Sequence, residues 1–337
     1  MSPAAADEAP SDEAPPGEGS SAIRAVFFGS GRFAVPILDA LVALPGITVE
    51  RVVSAPDRPI GRKAIVTPTP TTARARELGL GLMQPVRVRT PDSIAELRAV
   101  APDLVVLADY GQLIPRQLLD LAPRGFLNLH PSALPRHRGA APIPATILAG
   151  DAASAVTLIV VTEEMDAGPI VAVEPLEVRP SDTAVTLEER AAEVAARLLT
   201  RALPEWLSGR LRPRPQPQEG VTLTRPLRRG DGLLDPARTA LELERQVRAY
   251  QPWPGSFIQP AESGGERLIV WEARVAEGEP GDVAGTLVTA SDGGLALATR
   301  DGRLVLDVLQ RAGGRRMTAF ELRRGYPELS RVGAPRS

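Results

Sequence analysis

Short apolar segments alternate with amphipathic ones over the first two thirds of this chain. The pattern predicts strands at IRAVFFG, ITVERVVSA, DLVVLADYG, GFLNLH, VTLIVV and IVAVEPLEV. It predicts helices at FAVPILDALVAL, TARARELG and IPRQLLDLA, and a long amphipathic helix from Leu187 to Leu207. Short apolar strands that alternate with helices are typical of a parallel sheet covered on both faces. We therefore predict an α/β domain over residues 23–208.

The pattern changes after residue 208. Residues 209–222 contain three prolines, three arginines and few apolar residues, a composition typical of an interdomain linker. A predicted helix, ALELERQVRAY, then precedes the alternating segments RLIVWEARV, GTLVTA, LALATR and RLVLDVLQ. Because Gly and Asp turns separate these segments, we predict a small antiparallel sheet or barrel over residues 223–330.

The N-terminal end of the chain has a different composition. Residues 1–22 contain five acidic residues and neither a basic nor an aromatic one, so we expect a disordered acidic tail. They also lack the basic start and apolar run of a secretory signal. The 337 residues include no cysteine and no run of 18 apolar residues. We therefore expect a cytoplasmic protein with no disulfide, no thiolate metal site and no membrane span.

The distribution of charge matters more than its sum. The formal net charge is −2, which taken alone argues against binding to nucleic acid. Without residues 1–22, however, basic residues exceed acidic ones by three. This excess lies in residues 211–337, which hold 19 basic and 16 acidic residues. An RNA partner for the C-terminal domain is therefore compatible with the sequence.

Two polar residues lie near the end of the predicted strand GFLNLH. Asn128 and His130 are separated by one leucine, so their side chains share a face of the strand. Ligands of open α/β sheets bind at the carboxyl ends of strands. An Asn amide can donate to a developing oxyanion, and a His can move a proton near neutral pH. The pair is a candidate catalytic site, although both side chains could instead satisfy loop backbone.

Weaker motifs leave alternatives open. Residues 29–34 approximate a dinucleotide-binding fingerprint, but Glu50 lies inside the next strand, where it would not reach a ribose. Asp166, which precedes the segment GPI, is either a catalytic or orienting carboxylate or a turn former. The basic loop at 56–63 either contacts phosphate or is an exposed charged loop. The two histidines make a poor metal site, and we expect His137 at the surface or behind the reacting groups.

Six segments, in chain order, resemble those of the methionyl-tRNA formyltransferase family: APDRPIGRK, ADYGQLIP, LNLHPSALPRHRGAAPI, MDAGPI, RAYQPWPGSF and LQRAGGRRM. The resemblance extends from about Ile23 to about Tyr326. The string HPSALPRHRGAAPI is typical of enzymes that use 10-formyltetrahydrofolate. The string PWPG and the last segment narrow the resemblance to the enzymes that act on transfer RNA.

The resemblance implies a Rossmann-like parallel-sheet domain followed by a small OB-like barrel that binds transfer RNA. It implies transfer of a formyl group from 10-formyltetrahydrofolate to the α-amino group of methionyl initiator tRNA, without a metal. The family's catalytic residues fall on Asn128, His130 and Asp166. Its folate-contacting loop falls on Ser132, Ala133, Leu134 and Pro135, and its RNA-contacting loop on Arg58, Arg62 and Lys63. We expect a monomer.

This chain departs from the family pattern in two ways that affect binding. Lys63 is its only lysine, so the RNA-contacting loop has lost positive charge. Asp109 stands where Ala is common, and a carboxylate buried there would need partners. We expect arginines of the C-terminal domain to compensate for the lost charge, namely Arg225, Arg228, Arg229, Arg311, Arg315 and Arg316.

Three other functions compete with this interpretation. A formyltransferase acting on an amino sugar nucleotide would share the folate-binding loop but not the basic C-terminal domain. An NAD-dependent dehydrogenase would need an acidic residue better placed than Glu50. A non-enzymatic RNA-binding module would not need the polar set of Asn128, His130 and Asp166.

Overall fold

The computed structural model describes residues 22–60, 64–260 and 266–325. Residues 1–21 of the predicted acidic tail lie outside these ranges, as do Arg62 and Lys63 of the predicted RNA-contacting loop. Residues 326–330, the predicted end of the C-terminal domain, also lie outside them.

Secondary structure follows the predicted alternation. The first elements are β1 (Ile23–Gly29), α1 (Ala34–Ala43), β2 (Ile47–Val53), β3 (Arg58–Ile60), β4 (Ile65–Thr67), α2 (Pro70–Glu77), β5 (Leu82–Met83), α3 (Pro91–Val100), β6 (Leu104–Ala108), α4 (Arg116–Leu119), β7 (Phe126–His130), β8 (Arg138–Gly139), α5 (Pro142–Ala149), β9 (Ala153–Val160), β10 (Ile170–Glu177) and α6 (Ala184–Leu207). The remaining elements are β11 (Leu223–Thr224), α7 (Ala240–Ala249), β12 (Ser256–Ile258), β13 (Leu268–Ala276), β14 (Leu287–Thr289), β15 (Leu295–Ala298), β16 (Arg303–Arg311), β17 (Arg316–Thr318) and α8 (Ala319–Gly325). Helices α3 and α5 were not predicted, and α4 is shorter than its predicted segment.

Seven strands of the N-terminal domain form one sheet, in the order β10-β9-β7-β6-β1-β2-β5. The strands from β7 to β5 are parallel. Strand β9 runs antiparallel to β7, and β10 antiparallel to β9. The predicted parallel sheet is confirmed for the five strands from β7 to β5. Strands β9 and β10, on the other side of β7, are antiparallel. Apolar patterning does not reveal strand direction, because a strand covered on both faces is apolar in either case.

Two apolar layers cover this sheet. Phe27 of β1 packs in the layer that contains α1 and α6, and Phe28 points to the opposite layer with α3 and α4. Helix α6 buries Leu187 and Leu198 in the first layer, as its amphipathic pattern predicts. Thr183 caps its N-terminus, since the Thr183 hydroxyl oxygen accepts the Thr186 N–H at 3.3 Å. No helix within the described ranges is long and apolar enough to cross a membrane.

The C-terminal domain contains a six-stranded sheet with the order β12-β13-β16-β15-β14, in which β17 also pairs with β16. All its pairs are antiparallel, which confirms the predicted antiparallel sheet. Helix α7 packs against β13 and β16. Its Leu243 and Val247 belong to the core of this domain, whereas Ala249 at its end belongs to the core of the N-terminal domain. The two domains are therefore joined through apolar packing as well as through the chain.

Residues 209–222, predicted as a linker, lie against the N-terminal domain. Arg214 and Ile170 of β10 exchange two backbone hydrogen bonds, at 2.7 and 2.8 Å. Gln216 is only 6% exposed. Immediately after this segment, β11 pairs in parallel with β8. Residues 209–224, here named the strap, are thus bound along much of their length.

Candidate active site

Three polar side chains meet at the carboxyl end of β7. Asn128 and His130 project from one face of this strand, and His130 is 5% exposed. Asp166 reaches them from the loop between β9 and β10. Its Oδ1 accepts a hydrogen bond from Asn128 Nδ2 at 3.3 Å, and its Oδ2 lies 3.6 Å from His130 Nδ1. The structure therefore brings together the three residues to which the sequence resemblance assigns catalysis.

The surroundings of His130 determine which ring nitrogen carries the proton in the neutral state. Nε2 lies 3.0 Å from the backbone carbonyl oxygen of His137. A carbonyl oxygen only accepts hydrogen bonds, so we assign the proton to Nε2 from this network. The neutral ring then has its lone pair on Nδ1, on the side of Asp166. Nδ1 can accept a proton there, and a carboxylate is present to stabilise the resulting imidazolium.

Asp166 is held in an uncommon backbone conformation. Its φ of +51° lies in the left-handed region, which residues other than glycine seldom adopt. The Gly139 N–H donates to its Oδ2 at 2.8 Å. Nε2 of Gln216, in the strap, donates to the carbonyl oxygens of Asp166 and Gly168, at 2.7 and 2.8 Å. These bonds fix both the backbone and the carboxylate of this residue.

Two glycines allow the backbone segments around the site to approach each other closely. A Cβ atom on Gly168 would lie 1.7 Å from the carbonyl oxygen of Val160 in β9. A Cβ atom on Gly139 would lie 2.3 Å from the carbonyl oxygen of Thr224 in the strap, and its φ is +108°. Any side chain at either position would displace the backbone that aims Asp166.

The predicted folate-contacting loop is closed by its own hydrogen bonds. Ser132 is fully buried, and its hydroxyl donates to the carbonyl oxygen of Arg136 at 2.6 Å. Thr157 Oγ1 donates to the Ser132 carbonyl oxygen at 2.7 Å and accepts the Leu134 N–H at 3.4 Å. The side chains of Ser132 and Leu134 are therefore turned inward, while Ala133 and Pro135 remain partly exposed. A ligand of this loop would contact its backbone and the latter two residues.

His137 is 6% exposed, so the expectation of a surface position is wrong, whereas a position behind the reacting groups agrees with the structure. Its Nε2 lies 2.9 Å from Asp151 Oδ2, and its backbone N–H donates to Thr222 Oγ1 at 2.8 Å. Partial burial raises the pKa of Asp151, but hydrogen bonds from His137 and Arg136 outweigh it and hold that pKa below its ordinary value. Through its bonds to Asp151 and Thr222, His137 anchors the loop that follows His130.

Two amides of the glycine-rich turn between β1 and α1 are directed to carboxylates of the protein itself. The Gly31 N–H donates to the carboxylate of Asp109, and the Phe33 N–H donates to that of Glu188. A Cβ atom on Gly31 would lie 1.6 Å from Asp109 Oδ2. The sequence did not indicate a partner for Asp109. In the structure its carboxylate lies against the turn to which the pyrophosphate of a dinucleotide would bind in a Rossmann site. With Glu50 inside β2, the dehydrogenase alternative is not favoured.

Replacing Asp109 with Asn is expected to stabilise the protein at neutral pH and above. Desolvation raises the pKa of Asp109, against a smaller opposing effect of the Gly31 N–H. The ionised form is thus disfavoured in the folded state, and this cost disappears as the pH falls through the raised pKa. An Asn keeps an acceptor for the N–H and tolerates the φ of +51°. Thermal unfolding should show a gain at about pH 8 and none at about pH 3; equal gains would contradict this explanation.

Arg58, the described residue of the predicted RNA-contacting loop, is exposed on a short hairpin of β3 and β4. The start of this hairpin is fixed at Asp57, which accepts hydrogen bonds from Gln84 at 2.6 Å and Arg76 at 3.0 Å. Because β2 and β7 run in the same direction, the loop after β2 leaves the sheet at the same edge as Asn128. Arg58 and the candidate site therefore both lie on the side of the sheet where the parallel strands have their carboxyl ends.

Arg315 and Arg316 lie in the C-terminal domain, exposed at the start of β17. Arg315 donates to Glu321 Oε1 at 2.8 Å, and this bond lowers the pKa of Glu321. The guanidinium of Arg316 lies 3.7 Å above the ring of Trp271. Two other arginines that were expected to compensate for the lost lysines also form ion pairs, Arg225 with Asp231 and Arg311 with Glu266. The positive charge available to RNA is therefore smaller than the number of arginines suggests.

Several residues that organise the site were not identified from the sequence. They belong mainly to the strap: Gln216 supports the Asp166 loop, and Thr224 Oγ1 accepts the Ala141 N–H at 3.0 Å. Arg138 donates to Gln216 Oε1 at 2.8 Å. Partners in these contacts are 48 to 83 residues apart in the chain, so no local spacing reveals them. Within the described ranges, no group of three or more His, Cys, Asp or Glu residues is arranged to hold a metal ion.

Two family models match the chain. The model described as Formyl transferase matches residues 23–203, and the model described as Formyl transferase, C-terminal domain, matches residues 226–327. A methionyl-tRNA formyltransferase of Halorhodospira halophila is 43% identical, over 90% of this chain and 96% of that protein. One of Thermus thermophilus is 40% identical, over 90% of this chain and 96% of that protein.

Solved structures agree with the fold. WlaRD, described as a sugar 3N-formyl transferase, superposes with a TM-score of 0.62 at 15% identity, over 87% of this chain and 99% of its own. HypX from Aquifex aeolicus, in complex with tetrahydrofolic acid, gives a TM-score of 0.58 at 18% identity, over 91% of this chain and 48% of its own. The likeness confirms the Rossmann-like domain followed by an antiparallel one.

Proposed function

Because this chain belongs to the methionyl-tRNA formyltransferase family, we propose that Asn128, His130 and Asp166 carry out its reaction. The enzyme transfers the formyl group of 10-formyltetrahydrofolate to the α-amino group of methionyl initiator tRNA. The observation that supports the assignment is that one carboxylate, that of Asp166, bonds to the Asn128 amide and faces the His130 ring.

His130 acts as the proton acceptor. A bond forms between the attacking amine nitrogen and the formyl carbon, and the amine must lose a proton as this happens. The lone pair on His130 Nδ1 accepts it, and the imidazolium lies 3.6 Å from Asp166 Oδ2. The same proton can then pass to the leaving nitrogen of the folate when the carbon–nitrogen bond breaks.

Asn128 stabilises the oxyanion. The formyl oxygen gains negative charge while its carbon is tetrahedral, and a fixed donor lowers the energy of that state. One N–H of Asn128 Nδ2 is directed to Asp166 at 3.3 Å, so the bond holds the amide with its second N–H available to a substrate oxygen. Imidazolium Nδ1 of His130 becomes a second donor only after it has accepted the amine proton.

The folate co-substrate binds along the loop from Ser132 to Pro135. That loop follows His130 directly, and Thr157 closes it against β9. A loop held in this way can support a planar ring. The partly exposed Ala133 and Pro135 would contact the ring. The formyl group would then lie near the end of β7.

The identity of the molecule that receives the formyl group can be tested directly. The protein is incubated with formyl-labelled 10-formyltetrahydrofolate and with methionyl initiator tRNA, unacylated initiator tRNA or a panel of amino sugar nucleotides. Label is expected on methionyl-tRNA alone, with unacylated tRNA as the matched control. Label that reached only the sugars would overturn the assignment of the acceptor.

We infer that transfer RNA contacts Arg58, Arg62, Lys63, Arg315 and Arg316. The hairpin that carries Arg58 lies at the edge of the sheet where the reacting amine must arrive, and Arg315 and Arg316 lie on the domain with the basic excess. We also propose a monomeric, cytoplasmic enzyme with the boundaries 23–208 and 223–330 for its two domains.

Charge reversal of Arg316 is expected to raise KM for methionyl-tRNA more than reversal of Arg315, because Glu321 already neutralises Arg315. Loss of one phosphate contact should raise KM roughly tenfold and lower the slope of log KM against log salt by about one. Steady-state kinetics at several salt concentrations measures both. Reversal of the exposed Arg98 on α3 is the control. An unchanged KM in the double variant R315E/R316E would remove these residues from the RNA contact.

A further inference from the structure

We propose that Gln216 is a positioning residue for formyl transfer: it holds the loop that carries Asp166 in its catalytic conformation. This inference rests on the role proposed above for Asp166. Gln216 lies in the strap, 50 residues beyond Asp166, and has no place in the catalytic set given by the resemblance. Its side chain bonds to the loop backbone, so it acts on the reaction only through Asp166.

The amide of Gln216 uses its full hydrogen-bonding capacity at this place. Its two Nε2 hydrogens go to the carbonyl oxygens of Asp166 and Gly168, at 2.7 and 2.8 Å. Its Oε1 accepts from Arg138 Nε and from one terminal nitrogen, at 3.0 and 2.8 Å. Gln216 and Arg138 are 6% and 7% exposed, so water does not readily replace these bonds. A side chain of this length with two donors and an acceptor is needed to make all of them.

The loop depends on this support because its backbone is strained. Asp166 has a φ of +51°, which an aspartate adopts only at a cost in energy unless its surroundings compensate. Without Gln216, the carbonyl oxygens of Asp166 and Gly168 lose this donor, and the loop can relax away from the left-handed conformation. The carboxylate would then move relative to Asn128 and His130. A displacement of about 1 Å at a reacting group can lower a rate by about 100-fold.

The chain contains a matched control for this arrangement. Gln246, in α7, is 2% exposed and donates to the carbonyl oxygens of Asp231 and Leu233, at 3.3 and 3.1 Å. Its Oε1 accepts from Arg238 at 2.8 Å. It thus has the same buried pattern of two carbonyls and one arginine, but its bonds lie within the C-terminal domain. Replacing Gln216 removes four hydrogen bonds and replacing Gln246 removes three of the same kinds, but only Gln216 supports Asp166.

The first experiment compares Gln216→Met with Gln246→Met in the full chain. Both are expected to lower the melting temperature to a similar extent. Gln216→Met should lower kcat about 10- to 100-fold, with KM for both substrates within about twofold of wild type, whereas Gln246→Met should leave kcat unchanged. Equal kcat values for the two variants, measured below their melting temperatures, would overturn the proposal.

The second experiment combines Gln216→Met with Asp166→Asn. If Gln216 acts through Asp166, its replacement should lower kcat no further once the carboxylate is gone. Independent, multiplying losses would overturn the proposal while leaving the role of Asp166 intact. Near wild-type activity of Asp166→Asn itself would instead reject the role of Asp166. Should Gln216→Met not fold, Gln216→Glu keeps the acceptor for Arg138 but lacks the two donors, and it should show the same loss of kcat.

Discussion

Asn128→Ala is expected to lower kcat by about 10²- to 10³-fold, equivalent to about 3–4 kcal/mol of transition-state stabilisation. The reason is that Asn128 Nδ2 is the N–H donor held beside the reacting groups before any proton has moved, its other hydrogen being directed to Asp166 at 3.3 Å. Folate binding should be retained, because the predicted folate loop is closed by Thr157 and not by Asn128. Single-turnover rates and equilibrium binding of the folate measure the two quantities separately.

The thermal stability of the Asn128→Ala variant provides an internal control. Asn128 is only partly buried, and its truncation removes one long hydrogen bond, so the melting temperature should change little. A folded Asn128→Ala enzyme with kcat within about threefold of wild type would contradict its role as an oxyanion donor.

Asp166→Asn is expected to lower kcat by roughly three to four orders of magnitude, the scale observed when the carboxylate behind a catalytic histidine is replaced. The amide can still accept the Gly139 N–H, which the wild-type carboxylate accepts at 2.8 Å. It cannot, however, offset the charge of a His130 imidazolium, so Nδ1 becomes a weaker proton acceptor. Steady-state kcat of the folded variant measures this loss.

Asp151→Asn is the matched control, because Asp151 supports the other histidine, His137, at 2.9 Å. Its kcat should stay within a few-fold of wild type. The depressed pKa of Asp151 means that its ionised form stabilises the fold above the unfolded-state pKa and that this contribution is lost as the pH falls through the folded-state pKa. Asp151→Asn should therefore lower the melting temperature at neutral pH more than in acid. Similar kcat losses in Asp151→Asn and Asp166→Asn would show that the two carboxylates share a structural role.

The sequence was a good guide wherever local patterning determines structure. The apolar run ending in Asn128 and His130 predicted a strand, and the two-residue period placed both side chains on one face. Asn128 is also the only asparagine of the chain. By contrast, Asp166 joined the set only through the resemblance, because a carboxylate before such a glycine is more often part of a turn.

Features that depend on distant parts of the chain were not predictable in this way. The direction of β9 leaves no trace in its apolar pattern. The bond between the Gly31 N–H and Asp109 joins two turns on neighbouring strands, so neither residue alone indicated it. Gln216 lies in a proline-rich segment whose composition is that of a linker, and only its place in the fold shows what its amide binds.

The strap completes the proposed active site late in the synthesis of this chain. Ribosomes produce the N-terminal end first, so β7 and the Asp166 loop emerge well before Gln216 and the strand β11. Until those residues arrive, the carbonyls of the loop and the backbone of β8 lack their partners. A nascent chain that ends before residue 216 therefore contains the three proposed catalytic side chains but lacks the hydrogen bonds that Gln216 makes to the Asp166 loop. We therefore expect formylation only after the segment that leads into the C-terminal domain has been made.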